Sequence, residues 1–99
     1  MKLDVNARNK KMQSPLIVAV NKRNTNLVKV LLRHGSSNSL YMQDIYGATP
    51  LHDAIRLNNE QLIEALLNSN GVDKNHLINA INKDGFNCLN YAVVRENLK

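Results

Sequence analysis

The 99 residues include no tryptophan, a single cysteine, two prolines and only four aromatic side chains, three Tyr and one Phe. Each scarcity excludes something. With Cys88 alone there is no internal disulfide framework and no multi-cysteine zinc module. His34, His52 and His76 are too scattered to read as a ligand pair, so neither metal nor cofactor is expected. No apolar run approaches the ~20 residues that cross a bilayer. Met1 to Lys10 carries charge and asparagine rather than the apolar core of a signal peptide. One soluble unit without membrane insertion is expected, cytoplasmic by default with the nucleus second. The sequence also lacks a glycine-rich phosphate loop, a GxSxG turn and any clustered Cys/His, so these residues are not expected to form an enzyme.

What is present is basic and periodic. Thirteen Lys and Arg against eight Asp and Glu give a net charge of +5, which favours an acidic partner. Asparagine occurs 16 times but is dispersed among apolar segments, so it reads as compositional bias rather than a low-complexity tract. Three segments align by eye: "SPLIVAV" from Ser14, "TPLHDAI" from Thr49 and "NCLNYAV" from Asn87. Leu16, Leu51 and Leu89 are 35 and 38 positions apart, and Ala19, Ala54 and Ala92 repeat the same intervals.

Each piece of the repeat has a physical job. Ser14 and Thr49 offer a hydroxyl to the unpaired amides of a first helical turn, and Pro15 and Pro50 follow where a missing N–H costs nothing. Leu16, Ala19 and Val20, then Leu51, Ala54 and Ile55, form i, i+3, i+4 faces in which the small alanine admits a close neighbour; these faces are expected in the core. A second helix follows each. "NLVKVLLRHG" presents Leu27, Val28, Val30, Leu31 and Leu32, and "QLIEALLNSNG" presents Leu62, Ile63, Ala65, Leu66 and Leu67. Both are apolar on most sides, so both are expected to be covered by stacked neighbours. Gly35 and the pair Asn70-Gly71 are expected to cap these helices in the left-handed region. Before the helices, "DIYG" (44–47) and "NKDG" (82–85) read as type I turns, and "NKKM" (9–12) is the same turn without its glycine.

Spacing near 35 around a TPLH core resembles the ankyrin repeat. The expected fold is all-α: a solenoid fragment of about two and a half repeats, helix-turn-helix pairs joined by β-hairpin-like loops. The boundaries are 1–11 for the tail of a preceding repeat and its hairpin, 12–43 and 44–81 for two repeats, and 82–99 for a partial third. "LDVNARNK" (Leu3 to Lys10) matches the end of an upstream repeat, so the chain reads as an excerpt that begins mid-array. Both connections exceed the usual period of about 33. Residues 36–43 add roughly two positions, and residues 72–81 add about five, enough for an extra helical turn. Such insertions mark either a binding face or loop drift without a contact role.

The resemblance makes His52 a scaffold residue that hydrogen-bonds within the TPLH turn and across the hairpin. Ile17 and Asn90 at the equivalent positions leave no array of imidazoles. It also implies a reading surface built from hairpin tips and the exposed side of each first helix. Mapped here, that surface takes Lys10, Lys11, Gln13, Asn21 and Lys22 from the first unit, Ile45, Tyr46, Ala48, Asp53, Arg56 and Leu57 from the second, and Lys83, Asp84, Phe86, Val94 and Arg95 from the third. The contact residues expected among them are Lys10, Lys11, Lys22, Ile45, Tyr46, Arg56, Lys83, Phe86 and Arg95. Aromatic anchors among Lys and Arg suit an acidic peptide or acidic protein surface.

The strings "LDVNARNKKMQSPLIVAVNK", "VKVLL", "TPLHDAI" and "GFNCLNYAVVREN" are similar to the ankyrin region of mind bomb proteins. Those are cytoplasmic E3 ubiquitin ligases acting on Notch ligands. The resemblance implies a non-catalytic protein-interaction scaffold within a larger ligase, partnered by neighbouring repeats of its own chain, with the RING chemistry elsewhere. The alternative is a basic ankyrin surface that binds nucleic acid or nucleotide, with Tyr46 and Phe86 stacking on bases. Nucleic acid is the less favoured partner.

Overall fold

The computed structural model describes residues 7–34, 37–69 and 71–97. Among these residues six α-helices follow in order: α1 (Pro15–Asn21), α2 (Thr25–His34), α3 (Pro50–Arg56), α4 (Glu60–Leu67), α5 (Lys74–Asn79) and α6 (Cys88–Asn97), with a short 3-10 helix at Ser37–Tyr41. No strand occurs among the described residues. The all-α expectation holds.

The first helix of each unit starts as its residues dictate. Ser14 Oγ accepts from the Ile17 amide at 3.2 Å, Thr49 Oγ1 from the His52 amide at 3.3 Å, and Asn87 Oδ1 from the Asn90 amide at 2.8 Å. Each bond satisfies an orphan donor of the first turn. Helices α1 and α3 end alike. Arg23 N–H bonds Val20 O while Asn24 N–H bonds Ala19 O, and Asn58 and Asn59 repeat this on Ile55 and Ala54. These are Schellman closures, with Arg23 (φ 57°) and Asn58 (φ 53°) in the left-handed region usually given to glycine.

Helix α1 packs on α2 and α3, α3 on α4 and α6, and α2 on α4. The core is one continuous cluster running through Leu16, Ala19, Val20, Val28, Leu31, Leu51, Ala54, Leu62, Leu66, Leu77 and Cys88. Burying each large aliphatic contributes about 1.5–3 kcal/mol.

Three details differ from expectation. Helix α2 buries Val28 and Leu31 but leaves Leu27 and Val30 exposed, so its cover is one-sided. Its aligned counterpart Leu62 is fully buried because α2 itself covers α4. Helix α4 ends at Leu67 with Asn68 as its cap. Gly71, at φ 76°, lies in the turn beyond rather than at the helix end. Gly35 and Asn70 lie outside the described residues. Finally, Leu89 is 67% exposed although it aligns with buried Leu16 and Leu51.

The two long connections meet. The extra residues of 72–81 form α5 as their length allowed, with Asp73 as N-cap. Tyr41 of the first connection accepts from the Asp73 amide at 2.8 Å, and its ring meets His76 edge-on at 4.5 Å. Tyr41, Asp73 and His76 line a cavity of about 580 Å³ with Arg8, Met42 and Gln43. The insertions therefore pack on each other.

Candidate functional site

Three turns of one design carry the candidate surface. In each, the first residue's side chain bonds two amides of its own turn: Asn9 Oδ1 accepts from Lys11 and Gln13, Asp44 Oδ1 from Tyr46 and Ala48, and Asn82 Oδ1 from Asp84 and Phe86. The fourth position is left-handed throughout, Met12 at φ 59°, Gly47 at 75° and Gly85 at 82°. The turn without its glycine keeps the same conformation.

Successive turns are tied to one another. The Ile45 amide donates to Lys11 O at 3.0 Å, and the Lys83 amide donates to Tyr46 O at 2.9 Å. A second ladder runs one residue earlier: Arg8 donates to Gln43 O at 3.0 Å, and Gln43 Nε2 to Ile81 O at 2.7 Å. Nothing in the repeat pattern signalled this ladder, since Arg8 and Gln43 are unlike residues using different groups. Gly47 shows how tight the stacking is. A Cβ there would lie 2.8 Å from the Lys83 amide nitrogen and 3.0 Å from the Asn82 carbonyl carbon.

His52 is the third tie. Its Nε2 lies 3.0 Å from Phe86 O, which can only accept, so Nε2 carries the proton. Nδ1 is then the acceptor, 2.9 Å from Thr49 Oγ1 and 3.3 Å from the Thr49 amide. This closes a capping box in which imidazole replaces the usual Glu or Gln. Burial lowers its pKa, against the raising effects of the Phe86 carbonyl and of Asp44. His52 is a neutral clamp between two repeats. Cys88 Sγ lies 3.7 Å from Nδ1, but burial pushes the thiol up to about 11, so the pair holds no activated thiolate.

The stacking arranges exposed side chains in columns. Lys10, Ile45 and Lys83 occupy the second position of the three turns; Lys11, Tyr46 and Asp84 occupy the third. Lys10, Lys11, Lys22 and Lys83 are exposed, Tyr46 is 61% exposed, and Ile45 and Phe86 are half-buried. Arg56 is exposed and reaches back across the repeat boundary to Asn21 Oδ1. Asp53 lies beneath, 6% exposed, with Asn21 Nδ2 at 3.4 Å and Arg56 Nε at 3.7 Å. Desolvation raises the Asp53 carboxyl to about 6, opposed first by Arg56. Arg95 lies outside the residues whose side chains are described. The surface thus gathers Lys10, Lys11, Ile45, Tyr46, Lys83 and Arg56 along the tips and first helices, with Phe86 half-buried and its backbone bonded to His52 and Asn82. Asn21, Asp53 and Asp84, which the repeat register maps to the same surface, lie with them, Asp53 buried beneath it rather than displayed.

A family model for ankyrin repeats (three copies) matches residues 1–78. The chain is an ankyrin-repeat protein. Its third turn and α6, past the matched stretch, keep the turn bonds and cap of the ankyrin units before them. Ankyrin repeats are non-catalytic modules that generally mediate protein–protein interaction. A search among curated proteins gave no match.

Proposed function

We propose that this chain is a protein-interaction scaffold whose ankyrin surface takes an acidic peptide or acidic protein surface, and that it serves as the ankyrin region of a cytoplasmic, mind bomb-like E3 ubiquitin ligase acting on Notch ligands. The observation behind the first part is the tip column: Lys10, Lys11, Tyr46 and Lys83 stand exposed on turns whose backbone groups are already bonded to one another. A surface held this rigidly gives up little conformational entropy on binding. Its exposed charges chiefly raise on-rate and select the partner's sign.

Fluorescence anisotropy with the full chain tests it. An acidic peptide should bind, and the pair Lys10→Glu and Lys11→Glu should abolish that binding. Retained affinity in the double variant refutes the assignment to this surface. An oligonucleotide in the same assay separates the nucleic-acid alternative, because its affinity would fall steeply with salt as counterions are released. The ligase assignment rests on the sequence resemblance and is tested by flanking coding sequence. RING-type Cys and His spacings there support it, and their absence removes it.

A further inference from the structure

The charge of this array is segregated along its length. Between Val5 and Gln43 every charged side chain is Lys or Arg, whereas every Asp and Glu except Asp4 lies at or beyond Asp44. Among the described residues no ion pair involves a cation of that first stretch; the pair that is formed, Arg56 with Asp53, is in the second repeat. The whole-chain value of +5 conceals this gradient.

The turns display the gradient at their third position, although Lys83 keeps a cation at the second position of the last turn. The third-position column runs Lys11, Tyr46, Asp84: cation, aromatic ring, carboxylate. All three residues are exposed. Between the second and third turns, a cavity of about 230 Å³ is lined by Asp44, Tyr46, Asp53, Asp84 and Tyr91 together with Arg56. Three carboxyl groups, Asp44, Asp53 and Asp84, stand against the one guanidinium of Arg56, so the wall as a whole carries more negative than positive charge.

We propose that this column reads an extended peptide of one charge polarity, with carboxylates over Lys10 and Lys11 of the first turn and a Lys or Arg side chain at the third turn, beside Asp84 and the rings of Tyr46 and Tyr91. The inference rests on the protein-binding reading and deepens it. A uniformly acidic ligand gains at the first turn, but at the third its attraction to Lys83 is offset by Asp84 and the carboxylates of the cavity wall; a bipolar one gains at both. Carboxylate and aromatic walls together suit a cation, through charge pairing and the negative face of the ring.

The test uses the full chain and three labelled peptides of equal length: a Glu run with a neutral tail, a neutral run with an Arg tail, and a Glu run joined to an Arg through a graded Gly-Ser spacer. The bipolar peptide should bind about threefold to fivefold tighter than the acidic one, the scale of one or two rim ion pairs. Asp84→Asn should erase that advantage without weakening the acidic peptide. Lys10→Gln with Lys11→Gln should weaken both acidic-ended peptides. These side chains are exposed, and circular dichroism checks that the fold is kept. An advantage that survives Asp84→Asn overturns the proposal. So does an acidic peptide that binds as well as the bipolar one, although that result leaves the acidic-partner reading standing. Failure of all three peptides sinks both.

Discussion

Helices α3 and α6 open with the same seven-residue pattern, "TPLHDAI" and "NCLNYAV", and meet opposite surroundings. Leu51 is 2% exposed and its counterpart Leu89 is 67% exposed; Ala54 is fully buried, whereas Ala92 is half-buried and Val93 is 54% exposed. Helix α3 is enclosed by α1, α4 and α6, while α6 packs on α3 and on the short α5. One apolar stripe is therefore a core in the second repeat and a surface in the third. The pattern names the face that wants cover, and the neighbours decide whether it is covered.

The sharpest test of that contrast is truncation at the aligned leucines. Leu51→Ala should cost about 3 kcal/mol, through lost burial plus a cavity, whereas Leu89→Ala should stay within about 0.5 kcal/mol. Urea denaturation followed by circular dichroism measures both, and equal losses would show that α6 is as enclosed as α3.

His52→Asn, which gives the second repeat the residue of the third, should cost about 2 kcal/mol by leaving buried partners unsatisfied. Because folding lowers the His52 pKa, the unfolded chain takes up the proton first. The contribution of the neutral ring is therefore complete above its ordinary 6.5 and declines as pH falls below it. The variant's stability curve should lack that decline.

The turns extend the comparison. Gly47→Ala should cost about 2 kcal/mol, since it combines a left-handed φ with a clash against the next turn; Gly85→Ala, with nothing within 4 Å, should cost about 1 kcal/mol. Differential scanning calorimetry on the pair isolates the stacking component.

Asp53 aligns with Tyr91, and its burial as a charge is unfavourable. Asp53→Asn should raise stability by about 1 kcal/mol at pH 7.5 and by less at pH 5. The folded carboxyl, at about 6, binds its proton before the unfolded one at 3.8, so the native chain gains stability as pH falls through that window. This opposes the His52 effect, and chemical denaturation of the two variants at several pH values separates them. The smallest effect belongs to Arg23→Gly. Relief of its left-handed φ of 57°, partly offset by glycine's greater unfolded entropy, should stabilise by about 0.5 kcal/mol in thermal melts.

Much of this was legible in the residues. Ser14, Thr49, Pro15 and Pro50 start helices by local chemistry alone, and the Asn or Asp opening each turn folds its own four residues. The role of His52 followed from its place in the TPLH turn. The site was only half legible. The register alone maps Lys10, Lys11, Tyr46, Lys83, Asn21, Asp53 and Asp84 to one surface, but it does not show that Asp53 is buried there or that Arg56 reaches back to Asn21. A single net charge averages over repeats, and the stacking sets their members side by side. The Arg8–Gln43–Ile81 ladder was invisible because its donors share no residue type.

By itself the sequence determined the repeat, its helix starts and its turns, because those depend on bonds spanning only three or four residues. The tertiary structure decided which copy of an identical apolar face is buried, how the two long connections lock together and which charges share a surface. Those outcomes depend on contacts between residues some 35 positions apart, such as His52 with Phe86 and Arg56 with Asn21, where packing rather than local preference sets the energy.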